Sequence, residues 1–336
     1  MITLPHFSHI YIEDAARSYP LTQALLARFK RAVPIAIQNY KEVFNRPRQR
    51  WDHQSQSLKL ILAVKQDSFL YPGSSFVPNF DHSRFFYTTP VLNCIYACEY
   101  CYLQGLLSSP NIVVFVNGED FISAARQEFA NDQPGYLCIS YDTDLLALDD
   151  LFGFCAPWVN FARTIPRLNL EIRTKSANIQ ALRNITPSPN VILAWTLSPD
   201  RIVRRFEHRT PSLRARLDAV AEAQRLGWTI RLCFDPILRV QDWERLYEEL
   251  LEQTFAVVDP NKVLDVSLGV FRINSGYLRE MQNRRPSSKL VMYPYTVERG
   301  SASYNSNERA EMLGLVANSM RRFVSAEKVC VVPWQS

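Results

Sequence analysis

The sequence has no long hydrophobic run and few glycines. No apolar stretch is long enough to span a membrane, and the N-terminus lacks the basic residues and apolar core of a secretory signal. Only ten glycines occur among 336 residues, and none forms a G-x-G-x-x-G or P-loop pattern. This argues against dinucleotide-binding and NTP-binding folds. We therefore expect a cytoplasmic protein without a membrane partner.

Cysteine is also scarce. The chain has seven cysteines, an odd number that fits a reducing compartment better than a disulfide framework. Four of them, Cys138, Cys155, Cys233 and Cys330, are scattered singly, whereas the other three form a C-x3-C-x2-C cluster: Cys94, Cys98 and Cys101. Such clustering indicates a metal-binding loop.

Three thiolates at this spacing can hold three corners of a cubane [4Fe-4S] cluster, which leaves the fourth iron without a protein ligand. Structural zinc is an alternative, but it needs four ligands, and no other Cys or His lies near enough in sequence to complete the set. A buried cysteine group without metal is a second alternative. The spacing therefore favours an iron-sulfur cluster with one open iron, where chemistry can occur.

From Phe85 onward, short apolar runs alternate with helical patterns. The first apolar run is FFYTTP, which begins at Phe85, and the others cover 112–117, 136–143, 170–176, 191–199, 229–238 and 263–271. The helical patterns between them include 119–130, 144–163, 210–226 and 241–254. This alternation predicts a parallel sheet covered by helices. A complete or partial (β/α) barrel, with its site at the carboxyl ends of the strands, is the fold that we expect.

The chain is long enough for one large domain with extensions, since 47% of its residues are apolar. Residues 14–31 predict an amphipathic helix and residues 57–64 predict a strand. We therefore expect an N-terminal α/β extension over 1–80, a barrel over 81–275, and a C-terminal extension over 276–336 that closes the substrate side.

The formal net charge is +5, which permits a polyanionic partner without demanding one. Basic residues form three groups: 45–51, then 201–209 with Arg214 and Arg216, then Arg279, Arg284, Arg285 and Lys289. Solvated helix faces explain any one group taken alone. All three together modestly favour a nucleic-acid partner, with Arg204, Arg205, Arg209, Arg284 and Arg285 expected to face one groove.

The C-x3-C-x2-C spacing is the signature of radical S-adenosylmethionine (SAM) enzymes. In that superfamily the open iron binds the amino and carboxylate groups of SAM, and a reducing electron cleaves SAM to a 5'-deoxyadenosyl radical. The segment EYCYLQ over 99–104 further resembles the spore photoproduct lyase family, which reverses a thymine dimer in DNA. Similar blocks recur in order between about residues 60 and 255, including DTDLLALDDL, RTKSANI and RRFEHRTPSLRARL.

The resemblance implies ligands for both cofactors, in addition to the three cysteines for the [4Fe-4S] cluster. Thr143 falls where the family has a serine close to SAM, and Lys175 falls where it has a lysine able to meet the SAM carboxylate. Asp235 is a candidate for the SAM ribose, because carboxylates accept well from paired hydroxyls. A salt bridge would also explain Lys175, and a turn cap would also explain Asp235.

Two tyrosines flank the third cysteine. In the family they are implicated in passing a hydrogen atom or an electron, and here they are Tyr100 and Tyr102. Packed aromatic side chains with satisfied hydroxyls are the structural alternative.

The chain departs from the family at Tyr141. The family has a cysteine three residues before the counterpart of Asp144, and that cysteine returns a hydrogen atom to the product radical. A phenol also gives up a hydrogen atom, so Tyr141 is a candidate donor. Cys138 is expected to point to the opposite face of the strand by period-two alternation, and Cys233, on the same face as Asp235, is a second candidate.

Two classes of function follow. The first is a radical SAM lyase that repairs a pyrimidine photolesion in DNA, with SAM, a [4Fe-4S] cluster, and an external electron donor such as flavodoxin or ferredoxin. The second is a radical SAM enzyme of the same lineage with another substrate, or an iron-sulfur nucleic-acid binder without turnover. The resemblance of the block from RRFE to SLRARL, around 204–217, to the lyase family favours the first class, and the replacement of the family's cysteine by Tyr141 favours the second.

Overall fold

The computed structural model describes residues 6–73, 80, 82–131 and 133–332. Its strands are β1 (His9–Glu13), β2 (Val33–Ile37), β3 (Leu60–Ala63), β4 (Tyr71–Pro72), β5 (Phe85–Tyr87), β6 (Val91–Leu92), β7 (Ala97–Cys98), β8 (Ile112–Phe115), β9 (Gly135–Cys138), β10 (Leu168–Thr174), β11 (Val191–Thr196), β12 (Glu207–His208), β13 (Thr229–Ile237), β14 (Val263–Val270), β15 (Arg272–Asn274), β16 (Thr296–Glu298), β17 (Ser301–Ser303) and β18 (Val329–Val331).

The helices mostly lie between these strands. They are α1 (Pro20–Arg28), α2 (Lys41–Phe44), α3 (Trp51–Gln56), α4 (Leu103–Leu106), α5 (Gly118–Glu128), α6 (Leu145–Phe152), α7 (Cys155–Arg163), α8 (Gln180–Arg183), α9 (Asp200–Phe206), α10 (Leu213–Arg225), α11 (Trp243–Phe255), α12 (Ser275–Arg284) and α13 (Ser306–Met320). Short 3-10 turns cover Asp14–Ala16, Pro260–Lys262 and Ala326–Lys328.

The larger sheet has eight strands in the order β18-β14-β13-β11-β10-β9-β5-β4. Neighbouring strands in this order are parallel from β18 to β5, and β4 pairs with β5 in antiparallel fashion at one edge. Because β4 and β18 occupy the two edges of this order, the sheet is an open, partial barrel. The predicted fold class is confirmed.

The parallel strands alternate between an apolar outer face and a polar interior. On β10, the fully buried Leu170 and Ile172 alternate along the strand with Glu171 and Arg173. Arg231 on β13, which β11 separates from β10, donates to Glu171 at 2.9 Å and to the Asp265 carboxylate at 2.5 and 2.7 Å. Since side chains alternate at each strand residue, these charges all face the barrel interior and pair with one another there.

A second sheet has the order β2-β1-β3-β8-β6. Its strand β8 pairs in parallel with β3, so the apolar run at 112–117 belongs to this N-terminal sheet rather than to the barrel. All four residues of β8 are buried. An apolar run predicts a strand covered on both faces, but it carries no information about which strand becomes its neighbour. The expectation that every run after Phe85 enters one sheet was therefore wrong.

The predicted division at residues 80 and 275 stays a prediction. Hydrogen bonding crosses both positions, because β8 pairs with β3 and β18 pairs with β14 at the barrel edge. A small antiparallel sheet in the order β15-β17-β16 lies between α11 and α13 in the sequence.

The predicted helix over 144–163 is two helices. Gly153 ends α6 with φ at 64°, a left-handed conformation that glycine adopts without steric cost, and α7 begins two residues later. No single helix in the described residues is long and apolar enough to cross a membrane. The pair α6 and α7 meets the length and composition criteria together, but it bends by 106°.

Candidate active site at the cysteine loop

The cysteine loop follows the first parallel strand of the barrel, β5, as predicted. Within the loop, β7 pairs in antiparallel fashion with β12, with Cys98 opposite Glu207. The Glu99 amide donates to the Phe206 carbonyl at 2.8 Å. The RRFE block, which stands more than 100 residues later in the sequence, therefore forms the backbone support for the loop.

The three thiols are held in an apolar environment. Burial raises the pKa of Cys94, Cys98 and Cys101, to about 12 for Cys98, while Lys175 acts to lower the pKa of Cys98 and Cys101. Iron must therefore displace these protons when it binds the thiolates. Among the cations that act on Cys98 and Cys101, Lys175 lowers the pKa of both thiols most.

The described residues contain no group of three or more His, Cys, Asp or Glu side chains that could hold a single metal ion. A cubane cluster makes a different demand, because each of its cysteines binds a different iron and the three sulfurs do not converge on one point. The tripod of Cys94, Cys98 and Cys101 as a cluster site stays a prediction.

A buried ion pair lies directly behind the loop. Arg216 donates to Glu207, and both side chains are fully buried. Glu207 also accepts from the Tyr100 hydroxyl and from Ser198 Oγ, the latter at 2.8 Å. Burial acts to raise the pKa of Glu207, but Arg216 and Lys175 outweigh it and hold that pKa below its usual value.

The sequence predicted Arg216 as one of a group of surface basic residues. This prediction was wrong, because the side chain is fully buried. Its other donors reach Thr210 Oγ1 at 2.7 Å, the Pro211 carbonyl at 3.1 Å and the Thr196 carbonyl at 3.3 Å. A buried arginine with every nitrogen engaged positions the chain around it and is not available to bind DNA.

Gln104 is a second support that the sequence analysis did not identify. Its Nε2 donates to the Cys98 carbonyl, and its Oε1 accepts from Arg285 Nε at 2.6 Å. Its own carbonyl accepts from Arg284. Gln104 thus links the cysteine loop to the end of α12. The sequence feature that could have identified Gln104 is its place in the EYCYLQ segment.

The DTD triplet lies at the carboxyl end of β9. The Asp144 carboxylate is buried, caps α6 through the Ala147 amide at 3.0 Å, and accepts from Thr174 Oγ1 and the Lys175 amide, both at 2.7 Å. It thereby joins the ends of β9 and β10. Thr143 Oγ1, next to it, is buried and has no hydrogen-bond partner in the described residues.

Lys175 lies beside the cysteine loop, and its contact with the SAM carboxylate stays a prediction. Burial acts to lower its pKa, but Cys98 and Glu207 outweigh that effect and the pKa is raised. Its Nζ lies 5.5 Å from the centre of the Tyr100 ring. The side chain is therefore a cation at the end of β10, beside the cysteine loop.

Asp235 has an internal partner. Arg272 donates to its two carboxylate oxygens, each at 2.9 Å. Burial acts to raise the pKa of Asp235, but Arg272 outweighs it and the pKa is lowered. The turn-cap alternative is thus replaced by a bidentate ion pair, and Asp235 as a contact for the SAM ribose stays a prediction.

The tyrosines separate into two environments. Tyr100 bonds to Glu207, whereas Tyr102 donates to the Tyr141 carbonyl at 2.9 Å and to Asp142 Oδ1 at 2.8 Å. Burial raises the pKa of Asp142 to about 6, although the Tyr102 hydrogen bond opposes the shift. Tyr102 is therefore fixed beside Tyr141, and Tyr100 is fixed at the buried ion pair.

Tyr141 stacks on Tyr87. The ring centroids are 4.0 Å apart at an interplanar angle of 20°, and the Tyr102 ring lies 6.2 Å from Tyr141 in an edge-on orientation. This places Tyr141 between the cysteine loop and the first barrel strand. Its ring is held by packing on two sides, so a substitution that keeps the ring keeps the packing.

The expected orientation of Cys138 was wrong. Strand β9 ends at Cys138, so period-two alternation does not extend to Tyr141. Tyr141 packs against the same buried cluster that contains Cys138. The Cys138 thiol lies 3.8 Å from Glu171 Oε1, in the barrel interior. Cys233 is fully buried on the interior face of β13, and burial raises its pKa to about 12.

Arg173 is an interior residue that the sequence analysis missed. It stands two residues before Lys175, on the same face of β10, and its Nε donates to Glu171 at 2.9 Å. Its Nη2 is buried without a partner in the described part of the chain. The alternating pattern of LEIRTKS was the available signal, since it places Glu171, Arg173 and Lys175 on one face.

The predicted single groove of arginines is not formed. Arg204 pairs with Asp200 at 2.9 Å and lines a different cavity from Arg205. Arg209 donates to the Ser55 carbonyl at 2.7 Å. Only Arg205 and the pair Arg284 and Arg285 line one cavity together. Charge clustering in the sequence did not distinguish the two sides of α9.

An open parallel barrel whose first strand leads into a C-x3-C-x2-C loop is the arrangement of the radical SAM enzymes. The sequence model of the family described as spore photoproduct lyase matches residues 5–305. The chain therefore belongs to the spore photoproduct lyase family.

Relatives and solved structures agree with this assignment. The spore photoproduct lyase of Bacillus subtilis (strain 168) is 24% identical over 291 residues, which cover 84% of this chain and 83% of the relative. That of Geobacillus sp. (strain Y412MC61) is 25% identical over 292 residues, with the same coverage.

The fold is similar to that of spore photoproduct lyase complexed with dinucleoside spore photoproduct. The TM-score is 0.83 at 20% identity, with 99% of each chain covered. A variant of spore photoproduct lyase with bound AdoMet and dinucleoside spore photoproduct gives a TM-score of 0.81 at 20% identity, with 100% of each chain covered.

The residues present fit the two cofactors. Thr143 has a buried hydroxyl without a partner, which a bound ligand would satisfy. Lys175 supplies a positive charge beside the three thiols, where a carboxylate bound at the open iron would be neutralised. These features lie at the carboxyl ends of β9 and β10, the end of a barrel at which ligands bind.

Proposed function

We propose that this chain is a radical SAM lyase that repairs a pyrimidine photolesion in DNA by breaking the carbon-carbon bond between two linked bases. Cys94, Cys98 and Cys101 would hold a [4Fe-4S] cluster. When bound, the cluster and SAM supply a 5'-deoxyadenosyl radical. A cytoplasmic location and an external electron donor such as flavodoxin or ferredoxin belong to the same proposal.

One observation carries this proposal: the cysteine loop, the unpartnered Thr143 hydroxyl and the Lys175 ammonium meet at one end of a barrel that belongs to the lyase family. Lys175 would neutralise the SAM carboxylate, and Thr143 would hydrogen-bond to SAM. Asp235, already fixed by Arg272, would accept from the ribose hydroxyls. Arg173 has a free donor inside the barrel for a base carbonyl or phosphate.

Tyr141 supports a second candidate, a radical SAM enzyme of the same lineage with a different substrate. The family's hydrogen-donating cysteine is absent at this position, and a stacked phenol takes its place. The two candidates differ in whether Tyr141 returns a hydrogen atom to the product. They are separated by changing its hydroxyl without changing its ring.

Tyr141→Phe is expected to keep the cluster and SAM binding but to stop turnover or to yield trapped adducts of the product radical. The substitution keeps the stack on Tyr87 and removes the transferable hydrogen. Tyr141→Cys is expected to restore normal closure of the reaction. Product analysis on a lesion-containing dinucleotide measures both outcomes.

Tyr87→Phe is the matched control, since it removes a hydroxyl from the other ring of the same stack, and its products are expected to match those of the parent. If Tyr141 only fills space, its Phe variant loses no more than a hydrogen bond, typically about 1 kcal/mol. Identical product distributions in the parent, Tyr141→Phe and Tyr141→Cys would remove Tyr141 from the mechanism.

Binding to duplex DNA is expected to weaken steeply as salt rises. The net charge is +5, and several arginines are exposed. These side chains would neutralise DNA phosphates and so release the counterions bound to them. The logarithm of the binding constant should fall linearly with the logarithm of salt concentration, by roughly 0.9 for each phosphate contact. Fluorescence anisotropy of labelled duplex between low and moderate salt measures the slope. No binding at low salt, or a flat slope, would indicate a small-molecule or peptide substrate.

A further inference from the structure

A cavity of about 310 Å³ opens beside the cysteine loop. Four basic side chains line it, together with Glu99 and a short turn after α12. We call it the basic cavity, and its cations are Arg205, Arg284, Arg285 and Lys289. Arg205 and Lys289 are exposed, and the two residues at the end of α12 are half-buried.

The basic cavity carries more positive than negative charge. Within residues 6–73, 80, 82–131 and 133–332, none of its four cations forms an ion pair with a carboxylate. Glu99 also lines the cavity, where it accepts from His208 Nε2 at 2.7 Å and from Ser288 Oγ at 2.5 Å, so four cations face this one carboxylate. The cavity therefore presents a net positive surface to solvent.

The half-buried arginines are held rigidly. The Arg284 guanidinium lies 4.4 Å from the centre of the Trp51 ring and donates to the Leu107 carbonyl at 2.9 Å. Arg285 Nε donates to Gln104 Oε1, and Gln104 Nε2 donates to the Cys98 carbonyl. A continuous hydrogen-bonded path therefore runs from the basic cavity to a predicted cluster ligand.

The basic cavity and the predicted SAM site lie on different sides of the loop. Glu99, between Cys98 and Cys101, lines the cavity, whereas the next residue, Tyr100, points to the buried Glu207. A DNA lesion must react on the interior side, next to Thr143 and Lys175. An electron, in contrast, needs only a short path from the surface to the cluster.

We propose that the basic cavity is the docking surface for the electron donor, a small acidic one-electron carrier protein of the flavodoxin type. The inference rests on the proposed function. Acidic side chains of the donor would face Arg205 and Lys289, and attraction between opposite charges would orient the donor with its flavin towards the cysteine loop. One electron leaves the reduced flavin and one enters the cluster, and no bond is made or broken.

The test measures binding of an acidic flavodoxin to the reconstituted protein, together with the rate at which the reduced flavodoxin bleaches the cluster. The double variant Arg205→Glu, Lys289→Glu changes the two exposed cations and leaves Gln104 and both half-buried arginines in place. We expect binding and rate to fall on the order of tenfold or more at low salt, and the difference from the parent to vanish at high salt.

Arg321→Glu, an exposed arginine at the end of α13, is the matched control for a charge reversal elsewhere and should behave as the parent does. Unchanged flavodoxin binding in the double variant would overturn the proposal, as would a loss confined to duplex DNA binding, which would assign the cavity to nucleic acid. Dithionite should reduce the cluster in every variant. A parent that forms no reducible cluster would instead contradict the proposed function, and the docking surface with it.

Discussion

Replacing Cys98 by Ala is expected to remove the iron-sulfur cluster and to abolish SAM cleavage completely. Anaerobically reconstituted parent protein should carry about four irons per chain, because three thiolates bind one cubane cluster. Two thiolates that remain on a loop cannot hold three corners of it. Iron content, the visible absorbance of the cluster and 5'-deoxyadenosine release measure the effect. Cys94→Ala and Cys101→Ala should give the same result.

Cys155→Ala is the matched control, since it removes a buried thiol at the start of α7, outside the cysteine loop. It should keep the full absorbance and activity. A Cys98→Ala protein that kept the absorbance of the cluster would contradict the assignment of the tripod, and a fourth protein ligand would then have to be sought.

Replacing Arg216 by Met is expected to lower the free energy of unfolding by about 3–5 kcal/mol, because it leaves the Glu207 carboxylate buried without its cation. Since β12 also supports Cys98, cluster loading should fall as well. Urea unfolding of the purified chain measures the loss. Arg214→Met is the control. Its pair with Asp218 is exposed on both sides, and its removal should change stability by no more than about 1 kcal/mol.

The double variant Glu207→Gln, Arg216→Met keeps the test informative if the single variant does not fold. With both charges removed, the buried charge penalty disappears, so the double variant should be more stable than Arg216→Met alone. A loss below about 1 kcal/mol in Arg216→Met would show that the ion pair does not hold the loop.

The barrel strands were predictable because buried parallel strands are continuous apolar runs between helical segments. Strand β11 shows this most clearly, since all six of its residues are buried. The partner of β8 was not predictable, because apolar residues record burial and not the identity of the neighbouring strand. The break between α6 and α7 depended on the single residue Gly153, which a helical pattern over 20 residues concealed.

The site divides in the same way. Chemistry that needs a fixed local spacing was visible, as in the C-x3-C-x2-C loop. Interactions between distant residues were not, and Tyr100 and Glu207 stand 107 positions apart. The surface charge assigned to Arg216 failed because the chain folds back to pair it with Glu207, and the orientation assigned to Cys138 failed because β9 ends at that residue. Each depended on where a neighbouring segment begins or ends in space.

The most direct measurement of the central claim is SAM cleavage by the anaerobically reconstituted, reduced protein, with and without DNA that carries the pyrimidine photolesion. We predict that 5'-deoxyadenosine or repaired thymine pairs appear with the lesion-bearing DNA and are absent or far less abundant with undamaged DNA of the same sequence. Failure to cleave SAM under any condition would contradict the enzymatic account and leave a binding protein. Cleavage that is indifferent to the lesion would retain the radical SAM chemistry and reject the DNA photolesion as its substrate.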